Sequence, residues 1–162
     1  MSAFRVGALL QIADSAFPSG AFSHSFGLET AIDEGRVSDG PSLRLWLQAY
    51  LDGVLEPFDL CLLALVYDDA RRATELDARV AAAVYAAESR AGLGRIARAT
   101  VETALAMGIT SADLQAYDNQ LRADACGHPA IAWALVGSAI GVPKPLLLEA
   151  YASNTIGALA VG

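Results

Sequence analysis

Two histidines and the serines beside one of them are the side chains of this 162-residue chain best suited to act as base and nucleophile. The run Ser23-His24-Ser25 puts hydroxyls next to an imidazole, but adjacent residues on a helix do not face each other, so it predicts no Ser–His pair. The sequence also lacks a Gly-x-Ser-x-Gly elbow and a Gly-rich phosphate loop. We therefore predict a protein that is not an enzyme, has no catalytic residues and hydrolyses no nucleotide by itself.

Cys126 and His128 are the candidate metal ligands, because a thiolate and an imidazole two residues apart suit nickel or zinc. A closed site needs about four ligands, however, and the sequence holds no second Cys/His cluster. The simpler interpretation makes Cys126 a small buried residue and His128 a capping group for the helix that begins at Pro129. We expect no metal site and no tightly bound cofactor. The alternative is a metal site whose ligands come from two protomers.

Glu29 lies on a predicted helix that also carries Phe22 and Phe26. A carboxylate near an apolar face is usually solvated at the rim or paired with an arginine, and less often it titrates for function. An acid/base pair of Glu29 with His24 is the enzymatic alternative, and only their spacing along the chain supports it.

The composition excludes several classes of protein. With 54% hydrophobic and 18% charged residues, the chain is not disordered, and its net charge of -7 gives no general attraction for nucleic acid. Two cysteines are too few for a disulfide framework. The first twelve residues do not read as a signal peptide, and no stretch reaches the ~18 apolar residues of a membrane span. We expect a soluble cytoplasmic protein that contacts no membrane.

Apolar residues recur at helical spacing in the first half of the chain, and strand signals are thin. The predicted elements are helices over Phe4–Ala13 and Ala21–Glu34, a turn at Phe17–Gly20, and further helices opened by Asp39–Ser42 and by Pro57. Gly35 ends the second helix. The segment Phe58–Tyr67 is apolar on every side, which predicts a helix in the middle of a bundle.

The second half of the chain continues the helical pattern. A capping box at Thr74–Asp77 opens a region that runs to Met107 and breaks near residues 88–94; later helices cover Thr110–Ala123, Pro129–Ile140 and the segment from Pro143 onward. Gly141 ends the helix that Pro129 begins. The sequence therefore predicts one all-α domain over residues 1–162, a bundle of about eight or nine helices.

The segment Leu9–Glu29 resembles the N-terminal signature of the urease accessory protein F (UreF) family. That signature reads Asp-Ser-Ala-Leu-Pro, a small Gly-rich turn, and then Phe-Ser-His/Tyr-Ser-x-Gly-Leu-Glu. Weaker family-like motifs follow in order along the chain: Leu93-Gly-Arg95, Gly127-His-Pro129, Gly141-Val-Pro143 and Tyr151-Ala-Ser-Asn154. The resemblance covers nearly the whole chain.

This resemblance implies a chaperone for the maturation of a nickel enzyme. UreF-like proteins are all-α, dimerise through helices, and bind the accessory protein UreD (UreH in some species), which bridges to apo-urease. That complex recruits the GTPase UreG and couples GTP hydrolysis to nickel insertion. We accordingly expect a homodimer whose partners are a UreD/UreH-type protein, a UreG-type GTPase and apo-urease, with nickel in transit. Direct nickel binding by Cys126 and His128 across the dimer is the alternative.

The resemblance also implies which residues contact partners. They are the residues of the signature: Phe17, Pro18, Ser19, Phe22, Ser23, His24 and Glu29. Aromatic side chains are common interface hot spots, although these phenylalanines would equally suit a core. Arg90, Arg95 and Arg98 are candidate arginine fingers by residue type alone.

The chain departs from the family pattern near its end. Members continue for several tens of residues past the Ser-Asn motif, whereas this chain ends at Gly162, and no Trp follows Tyr151. Because the family's C-terminal part helps to recruit partners, the resemblance predicts a truncated form with weaker partner binding and an apolar last helix left partly uncovered.

Overall fold

A computed structural model describes residues 3–14, 27–84 and 86–161, and these residues are almost entirely helical. The α-helices are α1 (Ala3–Ala13), α2 (Leu28–Asp33), α3 (Gly40–Tyr50), α4 (Cys61–Asp68), α5 (Ala73–Ala83), α6 (Ala87–Ala106), α7 (Ala112–Arg122), α8 (Pro129–Ile140) and α9 (Lys144–Val161). A π-helix, Leu51–Leu60, joins α3 to α4 as one continuous rod, and a 3₁₀ turn, Ala70–Arg72, leads into α5. The predicted all-α bundle is confirmed.

Several helices begin and end where the sequence predicted, because local capping chemistry decides these boundaries. The Asp39 side chain accepts a hydrogen bond from the Ser42 amide at 2.8 Å, and the Asp39 amide donates one to the Ser42 hydroxyl oxygen at 3.0 Å, which completes a capping box at the start of α3. The Ser111 side chain caps α7 by accepting a hydrogen bond from the Leu114 amide at 3.1 Å, and Gly141, with a φ of 73°, ends α8.

Pro57 does not begin a helix, contrary to the sequence prediction. It lies inside the π-helix Leu51–Leu60, which continues α3 without a break. Proline is excluded from α-helix interiors because its ring meets the carbonyl of the preceding turn and it lacks an N–H group. The wider turn of a π-helix relieves this conflict. The chain therefore passes through the proline instead of restarting there.

Three further helix boundaries differ from the sequence prediction. The predicted helix over 21–34 does not run through Gly27, whose φ of 94° is a left-handed conformation that does not continue an α-helix, so α2 begins at Leu28; residues 21–26 lie outside the described part of the chain. α5 already begins at Ala73, so Thr74 cannot cap it. α5 ends at Ala83 and α6 begins at Ala87, so α6 runs unbroken through residues 88–94, where the sequence predicted a break.

The helix at the centre of the bundle is α8, not the segment Phe58–Tyr67. Ten of the twelve α8 residues are buried, and both α4 and α6 pack against it. By contrast, Phe58 of the π-helix and Leu65 of α4 are exposed, and only one face of α4, with Leu62, Leu63 and Val66, is buried. Gly137 of α8 lets the Leu147 side chain of α9 pack directly against its backbone, at a place where a Cβ atom would clash. Among the described residues, no helix is both long and apolar enough to cross a bilayer.

Candidate functional site

A groove of about 700 Å³ opens where α2, the π-helix, the α5–α6 connection and the N-terminus of α8 come together. Among the described residues, the charged side chains of this groove are all acidic: Asp59 lines it from the π-helix, Glu29 from α2 and Glu88 from α6. Apolar side chains, among them Val54 and Phe58, supply much of the remaining wall. No arginine or lysine of the described residues lines this groove.

Asp59 is the buried carboxylate of the groove, with only 7% of its surface exposed. Its Oδ2 atom accepts a hydrogen bond of 2.9 Å from the Tyr151 hydroxyl of α9. Its Oδ1 atom lies 3.8 Å from Nε2 of His128, beyond hydrogen-bond range. Burial raises the pKa of Asp59 to about 6, and the hydrogen bond from Tyr151 acts in the opposite direction.

His128 is the N-cap of α8, as the sequence predicted, and is 2% exposed. Its Nδ1 atom accepts a hydrogen bond of 3.3 Å from the Ala130 amide. Burial lowers the pKa of His128 to about 4, so the ring is neutral near pH 7. A neutral imidazole that accepts through Nδ1 carries its proton on Nε2. The contact with Asp59 is therefore an N–H group near a carboxylate, and Nε2 has no lone pair for a metal.

Tyr50 and Tyr151 complete what we call the Asp59 cluster, which consists of Tyr50, Asp59, His128 and Tyr151. Burial, and then the charge of Asp59, raise the pKa of both tyrosine hydroxyls. Both hydroxyls therefore stay protonated at physiological pH. The rings of Trp133 in α8 and Tyr151 make a T-shaped contact, with their centroids 5.4 Å apart. This packing helps to hold the Tyr151 hydroxyl in position.

A second buried carboxylate fixes the chain just before His128. The Oδ1 atom of Asp77 accepts hydrogen bonds from the Tyr117 hydroxyl at 3.0 Å and from the Gly127 amide at 2.9 Å. The Tyr117 oxygen in turn accepts one from the His128 amide at 3.2 Å. These residues, Asp77, Tyr117 and Gly127, form the Asp77 cluster, which ties α5 and α7 to the N-terminus of α8.

Gly127 makes this arrangement possible through its backbone. It has a φ of 81°, and a Cβ atom on it would stand 2.8 Å from Cδ2 of Leu121 and 3.3 Å from Cα of Gly94. Gly94 of α6 likewise meets the Cys126 carbonyl so closely that no side chain would fit there. The loop before α8 is therefore pressed against α6, which places His128 at the groove.

Most of the predicted partner-binding residues cannot be located. Phe17, Pro18, Ser19, Phe22, Ser23 and His24 lie outside the described part of the chain. Glu29 is described; it is exposed and lines the groove. The pairing of Glu29 with His24 stays a hypothesis for the same reason.

The two candidate metal ligands differ in their surroundings. His128 is buried, whereas Cys126 is exposed, contrary to the expectation of a small buried residue; the close contact of its carbonyl with Gly94 leaves the thiol on the outer side of the loop. Within the described ranges, no three histidine, cysteine or acidic side chains are grouped to hold a metal ion.

The candidate arginine fingers have structural contacts. Arg98 donates to the Ala125 carbonyl at 2.9 Å and braces the chain beyond α7. Arg90 donates to the Val84 carbonyl in the connection before α6. Arg95 is exposed. Of the three, Arg98 and Arg90 therefore hold loops in place.

Sequence reasoning missed Asp59, Asp77, Tyr117 and Tyr151 as a group. One signal was available for Asp59, because it is the single charged residue in the apolar run over residues 58–67. A carboxylate in such a run is either exposed on one face or buried with partners. For Asp77 the sequence offered a misleading signal, since it stands at the last position of an apparent capping box.

Comparison with known proteins connects this architecture to a family. The sequence model of the UreF family matches residues 37–161, most of the chain. The chain belongs to the UreF family. Its membership therefore does not depend on the segment Leu9–Glu29, which lies entirely before the matched residues. No solved structure matches the chain.

Curated relatives agree with this membership. The chain is 36% identical over 152 residues to "Urease accessory protein UreF" of Lachnoclostridium phytofermentans, covering 88% of this chain and 65% of that protein. It is 34% identical over 160 residues to the protein of the same name from Paenarthrobacter aurescens, covering 98% and 71% respectively. For the Arthrobacter sp. protein the identity is 34%, over 89% of this chain and 64% of the relative. The chain thus spans about two thirds of the length of these UreF relatives.

The weaker UreF-like motifs meet around α8 in the fold. Gly127-His-Pro129 supplies His128 and begins α8, and Gly141-Val-Pro143 follows its last residue. Tyr151 of the Ser-Asn motif reaches Asp59. Leu93-Gly-Arg95 provides both a groove residue and the close approach to Cys126. Three of the four motifs therefore meet at the N-terminal end of α8 and the groove beside it, whereas Gly141-Val-Pro143 lies at the other end of that helix.

Proposed function

We propose that this chain is an accessory protein in urease maturation that works as a helical scaffold. It binds a UreD/UreH-type protein and a UreG-type GTPase, and the resulting assembly with apo-urease couples GTP hydrolysis to nickel insertion. Nickel is cargo in transit. The observation that carries this proposal is the UreF family match over residues 37–161, together with relatives named urease accessory protein UreF.

Exposed apolar side chains support a scaffold that docks other helices. Leu10 of α1, Ile32 of α2 and Leu45 of α3 are all largely exposed, and 73% of Leu45 is accessible. Large apolar side chains that face solvent are typical of interaction surfaces when several occur together. We propose that such helix faces serve the homodimer and the partner complexes in the cytoplasm.

Complementation tests the proposed function directly. A bacterium that carries a urease gene cluster but lacks its UreF gene is supplied with this chain, and the nickel content and activity of its urease are measured. We expect both to be restored, and we expect the chain to co-purify with the UreD-type and UreG-type proteins of that cluster. Inactive, nickel-free urease together with failure of the pure chain to bind either protein would contradict the proposal.

The role of α3 is tested with a matched pair of substitutions. Leu45→Glu places a charge on the most exposed apolar side chain of α3, and Ala78→Glu places the same charge on an exposed position of α5. We expect Leu45→Glu to weaken co-purification with partners or to dissociate the homodimer, as measured by gel filtration with light scattering. Ala78→Glu should behave as the wild type.

Nickel binding by the chain alone is measured by equilibrium dialysis with Ni²⁺. A protein that only passes nickel on should bind less than one ion per protomer at micromolar nickel. Stoichiometric uptake that Cys126→Ala and His128→Asn both abolish would instead favour direct nickel binding across a dimer.

A further inference from the structure

We propose that the groove at the Asp59 cluster is the docking site for a lysine or arginine side chain of a partner protein. This inference rests on the proposed function, since it requires that the chain act by binding other proteins. It assigns one surface of the molecule to that binding, and it names the chemistry of the group that enters.

The first argument is the charge of the groove. Glu29 and Glu88 are exposed at its rim, Asp59 is buried deeper, and none of the three carboxylates makes an ion pair with an arginine or lysine of the described residues. The whole chain adds to this field with a net charge of -7. A cation that approaches is attracted from a distance and meets stronger attraction inside, where less water screens the charges.

The second argument is the unfilled hydrogen-bonding capacity of Asp59. Oδ2 accepts a hydrogen bond from the Tyr151 hydroxyl, whereas Oδ1 lies 3.8 Å from His128 Nε2 and accepts no hydrogen bond from the described residues. The Asp59 side chain is only 10% exposed, yet it is one of the groove-lining residues. Burial disfavours the ionised carboxylate and raises the pKa of Asp59 to about 6. An ammonium or guanidinium group donating to Oδ1 would stabilise the ionised form.

The third argument distinguishes a basic side chain from a bare metal ion. Val54, Phe58 and Leu93 line the groove and suit the methylene groups of a lysine or arginine, and the partly exposed Phe58 ring offers a face for its cationic end. These apolar side chains supply no ligand atoms for a metal ion. It would also need several ligand atoms, and the described residues contain no group of three suitable side chains.

The test compares variants that each remove one negative charge. Asp59→Asn removes the buried carboxylate and Glu29→Gln removes one at the rim, whereas Glu149→Gln removes an exposed carboxylate of α9 that does not line the groove. The dissociation constant for the UreD-type protein of the same gene cluster is measured by calorimetry. We expect at least tenfold weaker binding for Asp59→Asn, a few-fold loss for Glu29→Gln, and a change within twofold for Glu149→Gln. Thermal melts confirm that each variant is folded.

A double-mutant cycle identifies the entering side chain. Each exposed lysine and arginine of the UreD-type protein is replaced by glutamine, and one such change should weaken binding about tenfold to the wild type while having little further effect on Asp59→Asn. Equal binding of wild type and Asp59→Asn would overturn the inference and leave the proposed function standing. Failure of the wild type to bind at all would overturn both.

The metal alone supplies the last arm of the test. Ni²⁺ is titrated into the wild type and into Asp59→Asn without any partner protein. We expect no saturable binding that depends on Asp59. Saturable Ni²⁺ binding by the wild type that Asp59→Asn abolishes would overturn the inference in favour of a metal site.

Discussion

The Asp77 cluster and the Asp59 cluster use the same residue types at the same end of α8, but they differ in how fully the carboxylate is satisfied. In the Asp77 cluster one carboxylate oxygen accepts two hydrogen bonds, from the Tyr117 hydroxyl and the Gly127 amide. In the Asp59 cluster one oxygen accepts a single hydrogen bond from Tyr151, and the other faces His128 at 3.8 Å. Only Asp59 borders the large groove.

On the strength of this difference, and because Asp59 lines the groove whereas Asp77 does not, we propose that Asp77 is a structural carboxylate and that Asp59 serves binding. Buried polar groups stabilise a fold when their hydrogen bonds are made and destabilise it when they are not. Asp77 holds the loop before α8 in place, and this loop places His128 beside Asp59. Under the proposal made above, the Asp59 oxygen that accepts no hydrogen bond from the described residues is the one that a basic side chain of a partner would reach.

The largest expected effect comes from removing each carboxylate in turn. Asp77→Ala leaves the Tyr117 hydroxyl and the Gly127 amide buried without an acceptor, so we expect the free energy of unfolding to fall by about 3 kcal/mol. Asp59→Asn keeps an acceptor for Tyr151 and removes a buried charge, so at pH 7.5 stability should stay unchanged or rise. Urea denaturation followed by circular dichroism measures both. Equal losses would show that the two clusters have the same role.

A second expected effect is on the pH dependence of stability. The pKa of Asp59 is raised from 3.8 to about 6, so its contribution to stability falls as pH rises through that range. The pKa of His128 is lowered from 6.5 to about 4, so its contribution is lost as pH falls through that range. The two slopes, each about 1.4 kcal/mol per pH unit, oppose each other between pH 4 and 6.

Single substitutions should reveal separately the pH dependence of stability that Asp59 and His128 each cause. Relative to the wild type, Asp59→Asn should lose stability as the pH is lowered from 6 to 4, because only the His128 slope remains. His128→Asn keeps a good N-cap residue and should gain stability over the same interval. Urea midpoints measured at half-unit pH steps give both curves. Parallel curves for all three proteins would contradict the assigned pKa directions.

The smallest expected effect is on the free energy of unfolding when the hydroxyl of Tyr117 or of Tyr151 is removed. Tyr117→Phe removes a hydroxyl that both donates to Asp77 and accepts from the His128 amide, so we expect a loss of about 2 kcal/mol. Tyr151→Phe removes one hydrogen bond to Asp59, and we expect a loss of about 1 kcal/mol. Because that bond lowers the pKa of Asp59, Tyr151→Phe should also raise it further. Carboxyl resonances followed by NMR titration report that pKa, and an unchanged value would contradict the role of Tyr151.

Local chemistry made much of the fold predictable from sequence. Capping residues determine where α3, α7 and α8 begin and where α8 ends. The conformational and hydrogen-bonding preferences of residues such as Ser111 and Gly141 act over only a few positions, so they can be recognised in the sequence. Pro57 could not be interpreted correctly in this manner, because proline marks a helix start and is also tolerated in a widened turn. Sequence alone gives no means of choosing between the two.

The candidate site was harder to predict, since its contacts join distant parts of the chain. Asp59 and Tyr151 are 92 positions apart, and Asp77 and Gly127 are 50 apart. No periodicity relates such residues, so burial of their carboxylates follows only from packing. The UreF-like motifs did contain His128 and Tyr151, but their convergence on Asp59 required the fold. Glu29 was predicted and lines the groove, and the other signature residues stay predictions.

The π-helix between α3 and α4 has a consequence for which side chains reach the groove. Each residue of a π-helix turns the chain by a smaller angle than the roughly 100° of an α-helix, so the two kinds of helix present different residues to one side of the same rod. Val54, Phe58 and Asp59, which line the groove, all belong to this widened segment. The wider turn therefore sets which residues of the rod form this wall.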